Sequence, residues 1–316
     1  MGLLAGVRNF RGILGARPPA VGEAPWQDPA TAASPSGEQF RGLAPVADIP
    51  SAPAPRTRWP NARIALAESL WGAGFLAPGG EEEALRLARP LGLTAAASLL
   101  LLGAGAGGPS CAIASRLGVW VSGFEADPQL AAAAAEHSRR AGLGRRATIE
   151  AWNPADPLFR RQSHHHAMAL EPLRGARPEP VLAAIRQALK PGGQLVMTEL
   201  VADAPLDPAD PVAADWARLE CRDLALPSET TITRTLGRLG FDVRVAEDIS
   251  DRHAHLASIG WRHLLARVEE RPSVETAGVM VQEAELWLLR LRLIHRHRMR
   301  LFRWHAIGAM GTAPPA

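Results

Sequence analysis

The chain contains no tyrosine, and only two of its 316 residues are cysteines. The absence of tyrosine removes one common catalytic acid or base. Cys111 and Cys221 lie far apart in apolar or helical contexts, which argues against the disulfide framework of a small secreted protein. No apolar run approaches the roughly 18 residues that a membrane-spanning helix requires, and the N-terminus lacks the features of a signal peptide. We therefore expect a cytoplasmic protein.

Charge of one sign is also scarce over the chain as a whole. The formal net charge is +3, with 21% charged and 47% hydrophobic residues, an ordinary globular balance that does not point to a nucleic-acid partner. Residues 286–316 nevertheless contain six arginines and no acid: Arg290, Arg292, Arg296, Arg298, Arg300 and Arg303. This run could attract an anionic partner, but we favour a solvated helix face that continues into a charged strand.

The composition changes along the chain and predicts three segments. Residues 18–57 contain nine prolines without helical or strand periodicity, which is typical of a disordered tether. Ahead of them, residues 3–14 have a weak amphipathic pattern that a short helix could use to contact a membrane surface or a protein. We thus expect a tether over 1–57, one folded domain over 58–310 and a flexible tail over 311–316.

Within the folded domain, helix and strand patterns alternate. Apolar strands are predicted in "ASLLLLG", "VWVSGFE", "ATIEAW", "HAMALE" and "QLVMTELV", with helices between them. A sixth strand, "FDVRVAED", is followed by a helical insertion at about 251–297 and by "RMRLFRWHAIG", which we interpret as a terminal edge strand. This succession predicts an α/β fold, doubly wound around a mostly parallel sheet with helices on both faces.

The turn after the first strand, "LLLLGAGAGG", is a candidate ligand site. Gly103, Gly105 and Gly108 match the G-x-G-x-x-G of a dinucleotide site, whereas Gly107 in place of Gly108 gives the G-x-G-x-G of a nucleoside site. Glu125 ends the second strand, where a carboxylate can accept hydrogen bonds from ribose hydroxyls. Both ligand classes use such an acid, so these residues alone leave a nicotinamide-dependent oxidoreductase open.

Four motifs carry a family resemblance. "LLLLGAGAGG", "VSGFEADP", "ALKPGGQLVMTELV" and "LGRLGFDVRVAED" occur in an order and spacing that resemble the class I S-adenosylmethionine-dependent methyltransferases over residues 59–308. The resemblance implies a seven-stranded Rossmann-like methyltransferase fold in which the last strand runs antiparallel. It also implies S-adenosylmethionine as the cofactor and direct methyl transfer that needs no metal.

A further stretch, "WPNARIALAESLWGAGFLAPGG", is similar to the segment ahead of the glycine turn in phosphoethanolamine N-methyltransferases and their small-amine relatives. By that similarity Trp71, Gly72, Gly74, Phe75, Gly79 and Gly80 would close over the cofactor. The complete set of cofactor residues that the resemblance implies is Trp71, Gly79, Gly80, Gly103, Ala104, Gly105, Gly107, Gly108, Glu125, Ala126, Trp152, Asn153 and Leu170.

The chain departs from the family pattern at several positions. Leu101 stands where an acid is usual, Asn153 and His165 each replace an aspartate, and the catalytic tyrosine of the phosphoethanolamine enzymes has no counterpart. These departures motivate the alternative of a catalytically impaired methyltransferase fold that serves as a binding or interaction module.

On the substrate side, Glu171 after the fourth strand is the candidate catalytic residue, because a carboxylate there could orient an amine or take its proton. Glu199 and Asp203 follow on the next strand, where a structural role is the favoured interpretation. A metal site is not expected, since His164, His165 and His166 are consecutive and cannot converge, and His253 and His255 have unsuitable spacing. The resemblance leaves open that one of His253 and His255 reaches the substrate cleft from the helix after strand six. The expected function is methyl transfer to a small-molecule acceptor, an amine or a lipid-related compound.

Overall fold

In this computed structural model, residues 58–267 and 273–310 are described, and all of them belong to one compact unit. The predicted tether, the amphipathic N-terminal segment and the tail lie outside the described residues. No helix in the described ranges is long and apolar enough to cross a membrane.

Seven strands form one sheet in the order β3-β2-β1-β4-β5-β7-β6. They are β1 (Ser98–Leu102), β2 (Trp120–Glu125), β3 (Ala147–Ala151), β4 (His164–Leu170), β5 (Leu189–Val201), β6 (Phe241–Asp248) and β7 (Arg300–Gly308). The first five are parallel, and β7 runs antiparallel to both β5 and β6. The predicted doubly wound, mostly parallel sheet of a Rossmann-like methyltransferase fold is thereby confirmed.

Nine helices occur in the described ranges. They are α1 (Asn61–Trp71), α2 (Gly80–Ala88), α3 (Gly108–Leu117), α4 (Pro128–Arg140), α5 (Pro178–Ala188), α6 (Pro211–Glu220), α7 (Glu229–Arg238), α8 (Ser250–Leu265) and α9 (Val274–His295). Side chains cap several of them: Asp127 accepts from the Gln129 and Leu130 amides, and Ser228 accepts from the Thr231 amide. Such caps satisfy the free N–H groups at a helix start.

Apolar residues cover both faces of the sheet. Alternate residues of β1 divide between two clusters, with Leu100 and Leu102 in one, against α5 and α7, and Leu99 and Leu101 in the other, against α3 and α4. All four leucines are fully buried. A third cluster packs α1, α8 and α9 over the glycine turn. The core thus fixes the strand ends at which a ligand site is expected.

The interpretation of the last strand as an edge strand is wrong. β7 lies between β5 and β6, and β6 forms the edge. Phe302, Trp304 and Ala306 share one face of β7 and are buried in the apolar cluster against α5 and α7. β7 also pairs with β5 along one edge and with β6 along the other, so neither of its edges is left open. α6 was not predicted from the sequence. Lys190–Gly193 form an irregular start of β5 with a register shift against β4.

Candidate active site

A cleft of about 230 Å³ opens at the carboxyl ends of β1, β2, β4 and β5. Ligands of open α/β sheets bind at this edge. One wall consists of the glycine turn and the end of β2, and the opposite wall consists of residues from α8 and α9. The loop between α1 and α2 covers the cleft through Phe75, Leu76 and Gly80. The cleft is therefore the candidate active site.

The glycine turn passes directly beneath β4. Gly103 has a φ of +75°, and a Cβ atom there would lie 2.2 Å from the carbonyl oxygen of Leu170. Only glycine fits both the backbone angle and the space. The turn is also held from above, because the Gly108 amide donates to the carbonyl oxygen of Gly74 at 2.9 Å. The first backbone amide of α3 is thus already bonded within the protein.

Glu125 is oriented by three backbone amides. Its Oε2 accepts from the Gly105 amide at 2.8 Å, and its Oε1 accepts from the amides of Ala126 and Asp127 at 2.8 and 3.2 Å. Burial raises the pKa of this carboxyl although the three amides and their hydrogen bonds lower it. Its side chain lines the cleft, so the one lone pair that the three amides leave, on Oε2, is available to a ligand.

Trp152 and Asn153 follow β3 but occupy different positions. Trp152 lines the cleft and packs against Phe159, with ring centroids 5.5 Å apart. Its Nε1 is buried and has no hydrogen-bond partner within the described part of the chain. Asn153 does not line the cleft, and its Oδ1 accepts from the Ala155 amide at 3.1 Å. Of these two residues, Trp152 is therefore the one that is placed to contact a ligand in the cleft.

The loop between α1 and α2 is fixed by its own glycines and by Glu68, whose Oε1 accepts from the Gly74 amide at 2.8 Å. Trp71 does not reach the cleft. It packs edge-on against Trp287 at 5.3 Å and lies over Gly260, where a Cβ would come within 2.1 Å of its ring. Trp71 thus anchors the loop from behind, whereas Phe75 is the aromatic residue that lines the cleft.

Beyond the glycine turn, the cleft ends at a group of charges that we call the arginine–glutamate cluster: Arg58, Arg174, Arg222, Arg290, Glu171, Glu199 and Glu220. Glu171 lies at its centre. Its Oε2 accepts from Arg222 Nη1 at 2.7 Å and from Arg174 Nη2 at 3.4 Å, and its Oε1 accepts from Arg290 Nη2. Glu171 is therefore enclosed by three guanidinium groups.

The guanidinium groups around Glu171 determine which chemical role its carboxylate can take. Burial alone would raise the pKa of its carboxyl, but Arg290 and Arg222 lower it below the usual value. A carboxylate held in this way is a weak base, because protonation would break its ion pairs. Taking a proton from the acceptor, one of the two roles expected from the sequence, is thus disfavoured, and the orienting role remains.

Arg290 and His253 line the site although neither belongs to the sequence motifs that carry the family resemblance. Arg290 belongs to the arginine run that we assigned to a solvated helix face, yet its side chain is buried and lines the cleft. By contrast, Arg300 and Arg303 pair with Asp203 and Glu247. His253 is buried in the cleft wall, whereas His255 is exposed. Long-range packing of α8 and α9 places both residues. Of the histidine pair that could reach the cleft, His253 is the one that does, whereas the local sequence carries no signal for Arg290.

Of the predicted site residues, eight line the cleft: Gly80, Gly103, Gly105, Glu125, Ala126, Trp152, Leu170 and Glu171. The others, Trp71, Gly79, Ala104, Gly107, Gly108 and Asn153, support it from behind or from the side. Leu101, which stands in place of the usual acid, is buried in an apolar cluster. Among the described residues, no group of three or more His, Cys, Asp or Glu side chains could hold a metal ion.

No known protein-family profile matches the chain. It is 28% identical over 152 residues to phosphoethanolamine N-methyltransferase 2 of Caenorhabditis elegans, a match that covers 45% of this chain and 33% of that protein. The chain thus spans about a third of this curated relative.

Solved structures with a similar fold include the following two. One is Haemonchus contortus phosphoethanolamine N-methyltransferase 2 in complex with S-adenosyl-L-methionine, with a TM-score of 0.70, 20% identity and coverage of 80% of this chain and 58% of that one. The other is a putative sarcosine dimethylglycine methyltransferase from Galdieria sulphuraria, with a TM-score of 0.64, 17% identity and coverage of 78% and 98%. Both likenesses show the Rossmann-like methyltransferase fold.

Proposed function

We propose that this chain, which has the fold of class I S-adenosylmethionine-dependent methyltransferases, binds S-adenosylmethionine and transfers its methyl group to a small-molecule acceptor. The observation that carries the proposal is Glu125, whose carboxylate lines the cleft at the end of β2 and is bonded to the glycine turn. When bound, the cofactor supplies a methyl group on a sulfonium, whose sulfur keeps the electrons of the broken bond while the acceptor's lone pair forms the new one.

The residues in the cleft fit this cofactor. Glu125 is held at a point where the remaining lone pair of Oε2 can accept from a ribose hydroxyl, and Gly103 and Gly105 let a ligand approach the backbone closely. Trp152 offers an aromatic face for adenine and a buried Nε1 that lacks a partner among the described residues. A ligand atom that accepts from this Nε1 would remove the cost of leaving the donor unpaired.

The same turn is less suited to a dinucleotide. A dinucleotide's pyrophosphate binds to free amides at the N-terminus of the first helix. Here the Gly108 amide is bonded to the Gly74 carbonyl, and a Cβ at Gly108 would lie 2.7 Å from the Gly74 carbonyl carbon. The loop between α1 and α2 thus occupies the space that the pyrophosphate would need. This contact favours S-adenosylmethionine over a nicotinamide cofactor.

Calorimetric titration of the full chain tests the proposal. We expect saturable binding of S-adenosylmethionine and of S-adenosylhomocysteine, and no heat of binding with NAD or NADP under the same conditions. The reason is the closed N-terminus of α3 beside an accessible Glu125. Binding of NAD with no binding of S-adenosylmethionine would contradict the proposal and restore the oxidoreductase alternative.

We further propose that the acceptor is an amine that also carries an anionic group. Four arginines line the cleft, Arg58, Arg63, Arg174 and Arg290, and they are paired with Glu171, Glu220 and Glu283. The other acids of the lining, Glu83, Glu125 and Asp127, lie on α2 and at or just after the end of β2. The buried Nε atoms of Arg58 and Arg290 have no partner within the described ranges. An anionic group would satisfy these donors through charge-assisted hydrogen bonds.

The tryptophans of the cleft do not favour a permanently charged ammonium. The Arg63 guanidinium lies 4.1 Å from the ring centroid of Trp59, and the Arg290 guanidinium lies 5.3 Å from that of Trp287. Cation–π contact with these rings is therefore already made by the protein.

In this arrangement Glu171 orients Arg174 and Arg290 toward the acceptor and does not take its proton.

A comparison of two acceptors tests this assignment. With S-adenosylmethionine as donor, we expect phosphoethanolamine to be methylated about ten-fold faster than ethanolamine at equal low concentration, because one added charge-assisted hydrogen bond contributes about 1.5 kcal/mol or more. Mass spectrometry of the methylated products measures both rates. The variant Arg58→Met should reduce the ratio, whereas Arg116→Met, at an exposed position, should preserve it. Equal rates for the two amines would contradict the role of the arginines.

A further inference from the structure

His253 is a buried polar side chain in the cleft that the functional motifs do not include. It is 8% exposed, and its Nε2 has no hydrogen-bond partner within the part of the chain that the structure describes. Its ring packs against Trp287, with centroids 5.6 Å apart. A buried imidazole nitrogen without a partner costs free energy unless a ligand supplies one.

The position of His253 on α8 directs it toward the acceptor end of the cleft. Ile249, His253 and Leu256 all line the cleft, and their spacing puts them on one face of a helix. Leu256 contacts the loop between α1 and α2, where a Cβ at Gly79 would lie 2.9 Å from Leu256 Cδ1. This face of α8 therefore reaches from the covering loop to the arginine–glutamate cluster.

The surroundings keep His253 neutral. Burial and, next to it, Arg290 lower its pKa to about 3, although Glu171 and Glu220 act in the opposite direction. An unprotonated imidazole has one nitrogen that accepts a hydrogen bond. Glu171 is occupied by guanidinium groups, whereas His253 Nε2 has no partner within the described ranges and is an acceptor at this end of the cleft.

We propose that His253 Nε2 accepts a hydrogen bond from the N–H of the methyl-accepting atom and so turns the lone pair of that atom toward the methyl group. This assignment rests on the proposed function and adds a substrate-contacting residue to it. The proton remains on the methylated product, so His253 needs only to accept a hydrogen bond and not to remove a proton. Such orientation of reacting groups is a large part of catalysis by positioning.

Sinefungin provides a probe that needs no identified acceptor. In this analogue of S-adenosylmethionine, a carbon that bears an amine replaces the sulfur and its methyl group, so the amine lies where the methyl group would be. The measured quantity is the ratio of the dissociation constants of S-adenosylhomocysteine and sinefungin. We expect His253→Leu to reduce this preference for sinefungin about ten-fold, because a charge-assisted hydrogen bond is lost. His253→Gln, whose amide oxygen can still accept, should restore part of it.

The control variant is His255→Leu, two residues away and exposed, which should leave the ratio unchanged. If His253→Leu weakens both ligands equally, His253 has only a structural role and the inference is overturned. If neither ligand binds the wild-type chain, the proposed function itself fails. If the leucine variant does not fold, imidazole 15N NMR of the wild-type chain provides the test. The Nε2 resonance of His253 must then shift with sinefungin and not with S-adenosylhomocysteine. Equal spectra with the two ligands overturn the inference.

Discussion

Replacing Glu125 by glutamine is expected to weaken the binding of S-adenosylmethionine about ten-fold, since one charge-assisted hydrogen bond of about 1.5 kcal/mol would be lost. The wild-type carboxylate already accepts from the amides of Gly105, Ala126 and Asp127. Its remaining lone pair, on Oε2, is the one that a ribose hydroxyl would use. Isothermal titration calorimetry on the wild type and the variant measures the difference directly.

Glutamine also changes the local structure, because its NH₂ group cannot accept from a backbone amide. One of the amides of Gly105 or Ala126 would then face a donor, and the turn would lose part of its orientation. The expected loss of affinity therefore includes both the direct contact and the displacement of the turn. Glu125→Asp should bind better than Glu125→Gln if charge is decisive, although its shorter side chain reaches fewer partners.

Glu150→Gln is the matched control for this experiment. Glu150 is an exposed residue on β3, the neighbouring strand, so the same chemical change there removes a charge without touching the cleft. We expect its affinity for S-adenosylmethionine to stay within about two-fold of the wild type. A Glu125→Gln variant that binds as tightly as this control would refute the placement of the ribose at the end of β2.

Which parts of the fold the sequence could predict depends on the range of the interactions that form them. β1 is apparent because four consecutive leucines must be buried on both faces. The helix starts at Asp127 and Ser228 are apparent because capping is local. The neighbours of β7 in the sheet are not apparent from the sequence, because the pairing of β7 with β5 and β6 joins segments that are far apart in the chain. A strand pattern specifies the faces of a strand but not its partners.

The two halves of the site differ in the same way. The cofactor half consists of a turn and a strand end, so the glycines and Glu125 were found from local spacing. The acceptor half is assembled from α8, α9 and the segments after β4 and α6, as Arg174, Arg222 and Arg290 illustrate. An arginine in an arginine-rich stretch looks the same in sequence whether it is solvated or buried. Only packing against Glu171 distinguishes Arg290 from the exposed arginines around it.

Arg222 is expected to be the residue of the cleft region whose replacement costs the most stability. Its guanidinium is 2% exposed and pairs with Glu199 and Glu171. Burial alone would lower its pKa, but Glu199, Glu171 and Glu220 raise it above the usual value. Arg222→Met would leave two buried carboxylates without this partner, which typically lowers the free energy of unfolding by about 3–5 kcal/mol. Urea denaturation followed by tryptophan fluorescence measures the loss.

A control variant and the pH dependence of unfolding distinguish the loss of ion pairs in Arg222→Met from a general packing defect. Arg218→Met, at an exposed position on α6, should change the free energy of unfolding by no more than about 0.5 kcal/mol. In the wild type, burial raises the pKa of Glu199 although Arg222 lowers it, and the Arg222→Met variant should raise that pKa further. A carboxyl whose pKa is higher in the folded than in the unfolded chain stabilises the fold at a pH below its unfolded-state pKa. This stabilisation is lost as the pH rises through the folded-state pKa.

The deficit of Arg222→Met should therefore be larger at pH 8 than at pH 5, where the buried carboxylates can take up protons. Adding Glu199→Gln to this variant should recover part of the stability, because the neutral amide removes one buried charge. Its single oxygen can still accept from one of the two amides, Leu173 and Leu200, that donate to separate oxygens of Glu199. If the deficit is independent of pH and the double variant recovers nothing, the loss comes from side-chain volume. The arginine–glutamate cluster would then not be held together by its charges.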